Sequence, residues 1–348
     1  MYTKQPKKML IMNILDILRR YSDENHRLSQ KEIIEILDKE YDMIADRKAI
    51  KRNLLNLMDF GYNLEFTETI RKNKDGEDES IYSDWYLERD FSDAELRLLI
   101  DSLLFSKHIP CSQCKELINK ISGLSNKYFK TKVRHVHNLP EDKPQNAELF
   151  YTIEILDEAI ERNRQVVFNY GDYGTDKKLH LRKKSDGENK KYVVNPYQMV
   201  ATNGSYYLIG NYDKYDNVSH YRVDHIANID ILDVPAKPKN KVKGLEKGLD
   251  LPKHMAEHIY MFAGESERIE MRTSPDMAGE LINWFGNSIK FSNETEDSVI
   301  AHVTANVQAM RFWALQYAPY VTILKPLSLV EMVKTDLKNA IDKYKEDK

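Results

Sequence analysis

The stretch Asn203-Gly204-Ser205-Tyr206-Tyr207-Leu208-Ile209-Gly210, followed shortly by His220-Tyr221-Arg222-Val223-Asp224-His225-Ile226, decides how the middle of this chain folds. Asn-Gly is the strongest short signal for a tight hairpin, because both residues tolerate positive φ. After it, Tyr206 and Leu208 fall on one side of a strand and Tyr207 and Ile209 on the other, so both sides are bulky. The second run alternates as well, sending His220, Arg222 and Asp224 to one side and Tyr221 and Val223 to the other. An imidazole, a guanidinium and a carboxylate in a row are costly to bury unless they pair internally or bind something.

Working outward, the hairpin is flanked by Leu156-Asp157-Glu158-Ala159-Ile160, Val166-Val167-Phe168-Asn169-Tyr170 and Val194-Asn195-Pro196-Tyr197-Gln198-Met199-Val200. In this order, from about residue 150 to 232, these segments resemble the WYL-domain transcriptional regulators of bacteria, with Tyr206-Tyr207-Leu208 standing where the family has Trp-Tyr-Leu. The resemblance implies a small, strongly bent Sm-like β-barrel opened by one helix, which binds a ligand controlling DNA binding elsewhere in the chain. Many family members carry an arginine shortly before the position of Pro196; here Lys191-Tyr192 stand there instead. Candidate ligand-binding residues are Ser205, Tyr207, His220 and Arg222, with Lys191 and Arg182 as further cations. His220 and Arg222 supply donors suited to an anion such as a phosphate. The competing reading is that Arg222 pairs with Asp224 and that the two tyrosines are core aromatics.

The first sixty residues hold the basic side chains that a net charge of −3 does not supply globally. Met9, Ile11, Ile14, Leu15, Ile17 and Leu18 recur at helical spacing over residues 7–21. Ser29-Gln-Lys-Glu32 is a capping box for a second helix, and Asp46 can cap a third. Arg47, Lys48, Lys51 and Arg52 cluster in the first turns of that third helix, the turns a recognition helix presents to base edges and phosphates. Gly61 then stops it, Tyr62–Phe66 and Ile81–Leu87 read as paired strands, and Arg71-Lys72 begin a basic tip running to Gly76. Three helices and a hairpin predict a winged helix-turn-helix over residues 1–90, with Arg71 and Lys72 at the wing. Helix-rich domains also expose Lys and Arg on outer faces, and winged folds can serve as protein-interaction modules.

A helical connector is expected over 91–135, opened by the capping box Ser92-Asp-Ala-Glu95 and interrupted at Pro110. It either packs on the winged domain or contributes to a dimer interface. Val136–Ala147 reads as a linker, and the WYL domain is assigned to 148–235. Pro235–Pro252 reads as a second linker or an ordered crossover. Beyond it, at 255–348, strands and helices alternate as β-α-β-α-β-α, predicting a small ferredoxin-like α+β unit. Phe312-Trp313-Ala314-Leu315 and Leu324-Lys-Pro326 resemble the WCX-type extension that follows WYL domains, which implies dimer contacts and sometimes ligand capture. The fold class is thus multidomain α+β.

Only Cys111 and Cys114 occur, as Cys-x-x-Cys. His108, His135 and His137 do not complete a recognisable zinc pattern with them, so the pair reads as ordinary residues opening a helix in a reducing compartment. No metal site or cofactor is read from the sequence. No apolar run approaches the ~20 residues of a membrane span, and no secretory leader is recognised, so a cytoplasmic protein is expected. Phosphate-cradling glycine loops, nucleophile elbows and His-Glu-x-x-His are missing, and the chain is not read as an enzyme. The expected partners are double-stranded DNA, a small anionic, nucleotide or oligonucleotide effector, and a second copy of the chain in a homodimer. The alternative is a nucleic-acid-binding accessory of a defence or RNA/DNA-processing system, gripping single strands through the WYL domain.

Overall fold

The computed structural model describes residues 6–72, 77–106, 109–132 and 148–346. Two compact units divide the chain, Met1–Lys143 and Pro144–Lys348. The predicted linker at 136–147, the tip residues 73–76 and His108, His135 and His137 lie outside the described residues.

In the first unit, α1 (Leu10–Tyr21), α2 (Gln30–Tyr41) and α3 (Arg47–Phe60) precede the antiparallel strands β1 (Leu64–Lys72) and β2 (Asp78–Leu87). Local chemistry sets each boundary. Ser29 and Glu32 complete both halves of the capping box at α2. The Asp46 side chain accepts from the Ala49 N–H at 2.7 Å, and Gly61 at φ 109° ends α3 in the left-handed region. Ile14, Leu18, Ile33, Leu37, Ile50 and Leu54 converge in a core closed by the fully buried Trp85 of β2. Each such aliphatic side chain contributes roughly 1.5–3 kcal/mol. Trp85 also exchanges two backbone hydrogen bonds with Leu28, both 2.8 Å, which fixes the hairpin to the segment before α2.

The connector consists of α4 (Asp93–Phe105), α5 (Cys111–Ser122) and α6 (Lys127–Lys132). It packs on the three helices: Asn126 donates to the Ser22 carbonyl at 3.3 Å, and Tyr128 stacks on His26 at 3.5 Å between ring centroids. Cys111 and Cys114 sit in the first two turns of α5 as free thiols, and Cys114 is buried against the Leu103 carbonyl.

The second unit opens with α7 (Leu149–Glu161), which covers a sheet made of β3 (Arg164–Tyr173), β4 (Leu179–Leu181), β5 (Lys191–Thr202), β6 (Ser205–Tyr212), β7 (Val218–Arg222) and β8 (Ile226–Pro235). The strand order is β4-β3-β5-β6-β7, with β8 also paired to β3. No pairing joins β7 to β4 or β8 among the described residues, so the sheet does not close on itself there. The reason lies in the chain path: β7 is short and ends in a 3-10 turn at Val223–His225, which sends β8 to the far side of β3. The Asn-Gly hairpin forms as read, with φ of 51° at Asn203 and 72° at Gly204. The crossover after β8 is ordered, since Val242 and Leu245 are buried against Tyr197.

After α8 (Leu251–Glu257) come β9 (Ser266–Thr273), α9 (Ala278–Phe285), β10 (Lys290–Ser292), β11 (Val299–Asn306), α10 (Val307–Gln316), β12 (Thr322–Lys325) and α11 (Leu327–Glu346). The sequence reading missed β10, a three-residue strand too short to show alternation. With it, the order is β-α-β-β-α-β-α, and the strands lie β10-β11-β9-β12, all neighbours antiparallel. Trp313, Phe285, Ile269 and Met271 fill the core between sheet and helices.

Candidate functional site

The cations predicted for DNA contact all lie in the first unit. Arg47, Lys48 and Arg52 are exposed, and no acidic residue occupies the first turn of α3. Lys51 is half-buried instead: its ammonium lies 4.7 Å from the centre of the Tyr82 ring and 3.5 Å from the Ser80 carbonyl, leaning from α3 onto β2. Arg71 and Lys72 are exposed at the end of β1, in register with Glu79 and Asp78 of β2.

In the second unit, one side of the sheet carries a cluster of rings. Tyr221 meets Phe168 at 5.3 Å and Tyr170 at 5.5 Å, and Tyr192 meets Tyr212 at 5.3 Å. Two cations lie on these rings. Arg182 stands 5.1 Å over Tyr170 while its fork holds Asp172 at 2.7 and 3.0 Å, and Lys190 stands 4.7 Å over Tyr192. The Tyr170 hydroxyl accepts the Arg222 backbone N–H at 3.1 Å, and burial pushes that phenol up to about 12.

Strand pairing places Tyr207 opposite Arg222 and Ile209 opposite His220, so Tyr207, His220 and Arg222 share one side of the sheet. Asp224 does not extend the row as alternation predicted. It falls in the 3-10 turn after β7, is fully buried, and takes both prongs of Arg222 at 3.1 and 2.7 Å. Burial works against the Arg222 charge, but the buried carboxylate more than offsets it and raises the guanidinium pKa. Tyr207 is half-buried, and desolvation raises its hydroxyl above the ordinary phenol value against the opposing pull of Arg222.

His220 turns to a different neighbourhood. Its Nε2 lies 2.8 Å from Nε2 of His254, and His258 stacks on His254 at 4.1 Å between centroids. Burial first, and the neighbouring imidazoles second, push His220 down to about 3 and His254 to about 4.

The structure therefore pairs Tyr207 with Arg222 across β6 and β7 but turns His220 away to His254, and it brings Arg182, just past the end of β4, and the Arg222 backbone to Tyr170. Ser205 is buried at the start of β6, and Lys191 is exposed, on the opposite side of β5 from the buried Tyr192. The sequence reading missed Lys190, whose adjacent position made it indistinguishable from Lys191. It also missed His254 and His258. Their i, i+4 spacing was a signal, without meaning until His220 joined them from a distant strand.

Asn195, from the Val-Asn-Pro segment, is structural. Its side chain is fully buried, accepting from Gln165 at 3.0 Å and from the Lys237 N–H at 2.8 Å while donating to Asn211 at 3.0 Å. No helix among the described residues is long and apolar enough to cross a membrane.

Residues 151–231 match the family model described as the WYL domain, and residues 265–341 match that described as the WCX domain. No curated protein matches the chain. Among solved structures it is similar to the proteasome accessory factor B/C (PafBC) of Arthrobacter aurescens, at 14% identity and a TM-score of 0.29, covering 98% of this chain and 49% of that one. It is also similar to a crystal structure described as a CRISPR Cas-related protein, at 15% identity and a TM-score of 0.37, covering 100% of this chain and 88% of that one. The chain thus spans about half the length of PafBC. With its strand-turn-strand core and the extension behind it both matched, the chain carries a WYL domain followed by a WCX domain.

Proposed function

We propose that this protein is a ligand-responsive transcriptional regulator, without catalytic activity, that binds duplex DNA as a homodimer. In this reading the first unit is a winged helix-turn-helix: α3 enters the major groove, led by Arg47, Lys48 and Arg52, and the β1–β2 wing brings Arg71 and Lys72 to the backbone. The observation that carries it is the cationic, acid-free first turn of α3, exposed beside a hairpin on which Lys51 rests. The open WYL sheet serves as an Sm-like effector platform, and the ferredoxin-like WCX unit contributes dimer contacts. An anionic or nucleotide-like effector competes with Asp172 and Asp224 for Arg182 and Arg222, while its base or ring stacks beside the tyrosines. Such control requires an effector that discriminates between DNA-competent and incompetent states.

The test is fluorescence anisotropy of the full chain against duplexes tiled across its own upstream region, with shuffled duplexes and single strands as competitors, near physiological salt. Preference for one duplex by the ~10³-fold or more typical of specific binders supports the regulator. Equal weak binding to every duplex overturns autoregulation, and preference for single strands moves the function to a nucleic-acid accessory gripping them through the WYL domain.

A further inference from the structure

We propose that His220, His254 and His258 form a binding site for a divalent transition-metal ion of the zinc class, joining β7 of the WYL sheet to the helix that leads into the WCX domain. This is independent of the DNA-binding reading. One ring nitrogen from each of the three residues lies within 4.8 Å of the other two. His254 lies in α8 and His258 caps its C-terminus, one turn on, and both are only 8% exposed. His220 comes from the strand 34 residues earlier.

Three imidazoles at a junction make a poor hydrogen-bonding set for one another. The two Nε2 atoms of His220 and His254, 2.8 Å apart, share at most one proton between two lone pairs. The Nδ1 of His258 faces the His254 backbone carbonyl at 3.0 Å, which fixes that nitrogen as the protonated one and leaves Nε2 a bare lone pair. A carbonyl on the far nitrogen is the usual partner of a metal-bound histidine. Tetrahedral zinc, with bonds of about 2.0–2.1 Å, holds its nitrogens about 3.3 Å apart, so His220 and His254 separate by roughly half an ångström when the shared proton is replaced by the ion. Binding forms only coordinate bonds from the lone pairs of neutral imidazoles; in whichever of His220 and His254 donates the shared proton, that proton moves from Nε2 to Nδ1, with no net release.

The surroundings suit a cation. The adjoining cavity of about 600 Å³ is lined by Glu246, Glu257 and Glu265 against the single lysine Lys243, which is itself paired to Glu265 at 2.6 Å. An all-imidazole set selects zinc, copper, nickel or cobalt over magnesium or calcium, which take oxygen ligands. Three protein ligands leave the fourth position facing the cavity for water or an anion.

The experiment uses full-length protein without a histidine tag, loaded with Co²⁺ as a spectroscopic probe and with Zn²⁺ in thermal melts. The expected result is a visible d–d spectrum of tetrahedral cobalt saturating in proportion to protein, with no sulfur charge-transfer band. Zinc raises the melting temperature of the wild-type chain, and chelator reverses the rise. His220→Gln and His258→Gln lower the cobalt affinity at least ~10-fold each, as ligand losses do, while His180→Gln and the double Cys111→Ser/Cys114→Ser variant retain it. If a histidine variant misfolds, the reversible zinc-dependent melt of the wild type still decides. Absence of both the spectrum and the melting shift overturns the proposal. So does cobalt binding that survives the histidine variants or disappears with the cysteines.

Discussion

Arg222 and Asp224 close on each other two residues apart, with Nε to Oδ1 at 3.1 Å and Nη2 to Oδ2 at 2.7 Å, and Asp224 is entirely shielded from water while Arg222 keeps 35% of its side-chain surface. The guanidinium is thus the only end of the pair an effector can reach, and any anion binding it must share it with a carboxylate that has no water to retreat to.

Arg222→Ala therefore destabilises the second unit by about 2–4 kcal/mol, less than loss of a fully sequestered pair because the guanidinium is partly solvated. Removing the buried negative charge as well, in Arg222→Ala/Asp224→Asn, recovers part of that loss. Urea unfolding of the two variants measures the difference, and equal stabilities would show that Asp224 finds sufficient support elsewhere.

Along α3, Arg47→Ala and Lys48→Ala lower duplex affinity and each reduce the salt slope by about one when the lost contact is to phosphate. A loss of ~1–3 kcal/mol confined to one base position identifies a base-edge contact instead. Lys51→Met keeps the stem on Tyr82 and removes only the charge, so affinity falls while the melting temperature of the first unit stays near wild type. Binding isotherms at several salt concentrations read all three.

Alkaline titration reports the ring cluster. Tyr170 is raised from 10.0 to about 12 by burial. The folded state holds this proton more tightly than the unfolded chain, so its contribution is complete below pH 10 and disappears as pH climbs through about 12. Stability against urea thus declines over that window, and Tyr170→Phe flattens the decline. The same substitution leaves the Arg222 N–H without its acceptor, lowering stability at neutral pH by about 1–3 kcal/mol.

Gly210 lies within β6, opposite Pro196 of β5. A Cβ there meets the Asn195 carbonyl oxygen at 2.8 Å. Gly210→Ala forces β5 and β6 apart next to the buried Asn195 cluster and costs about 1–3 kcal/mol, seen as a lower melting temperature by circular dichroism.

What the sequence by itself determined is what neighbours in the chain enforce. The Asn203-Gly204 turn, the capping boxes at Ser29 and Ser92, and the Asp46 cap of α3 each depend on groups within four residues of one another, so their chemistry is readable in order. The cationic start of α3 and the apolar periodicity that buries Trp313 were legible for the same reason. The tertiary structure alone decided where chain path overrides alternation. It turned Asp224 out of its strand and under Arg222, left the sheet open by sending β8 back to β3, and drew Lys190 rather than Lys191 over Tyr192. It also carried His220 to His254 and His258, a meeting no local rule encodes, because side chains far apart in sequence become neighbours only when burial of the whole sheet fixes where each strand ends.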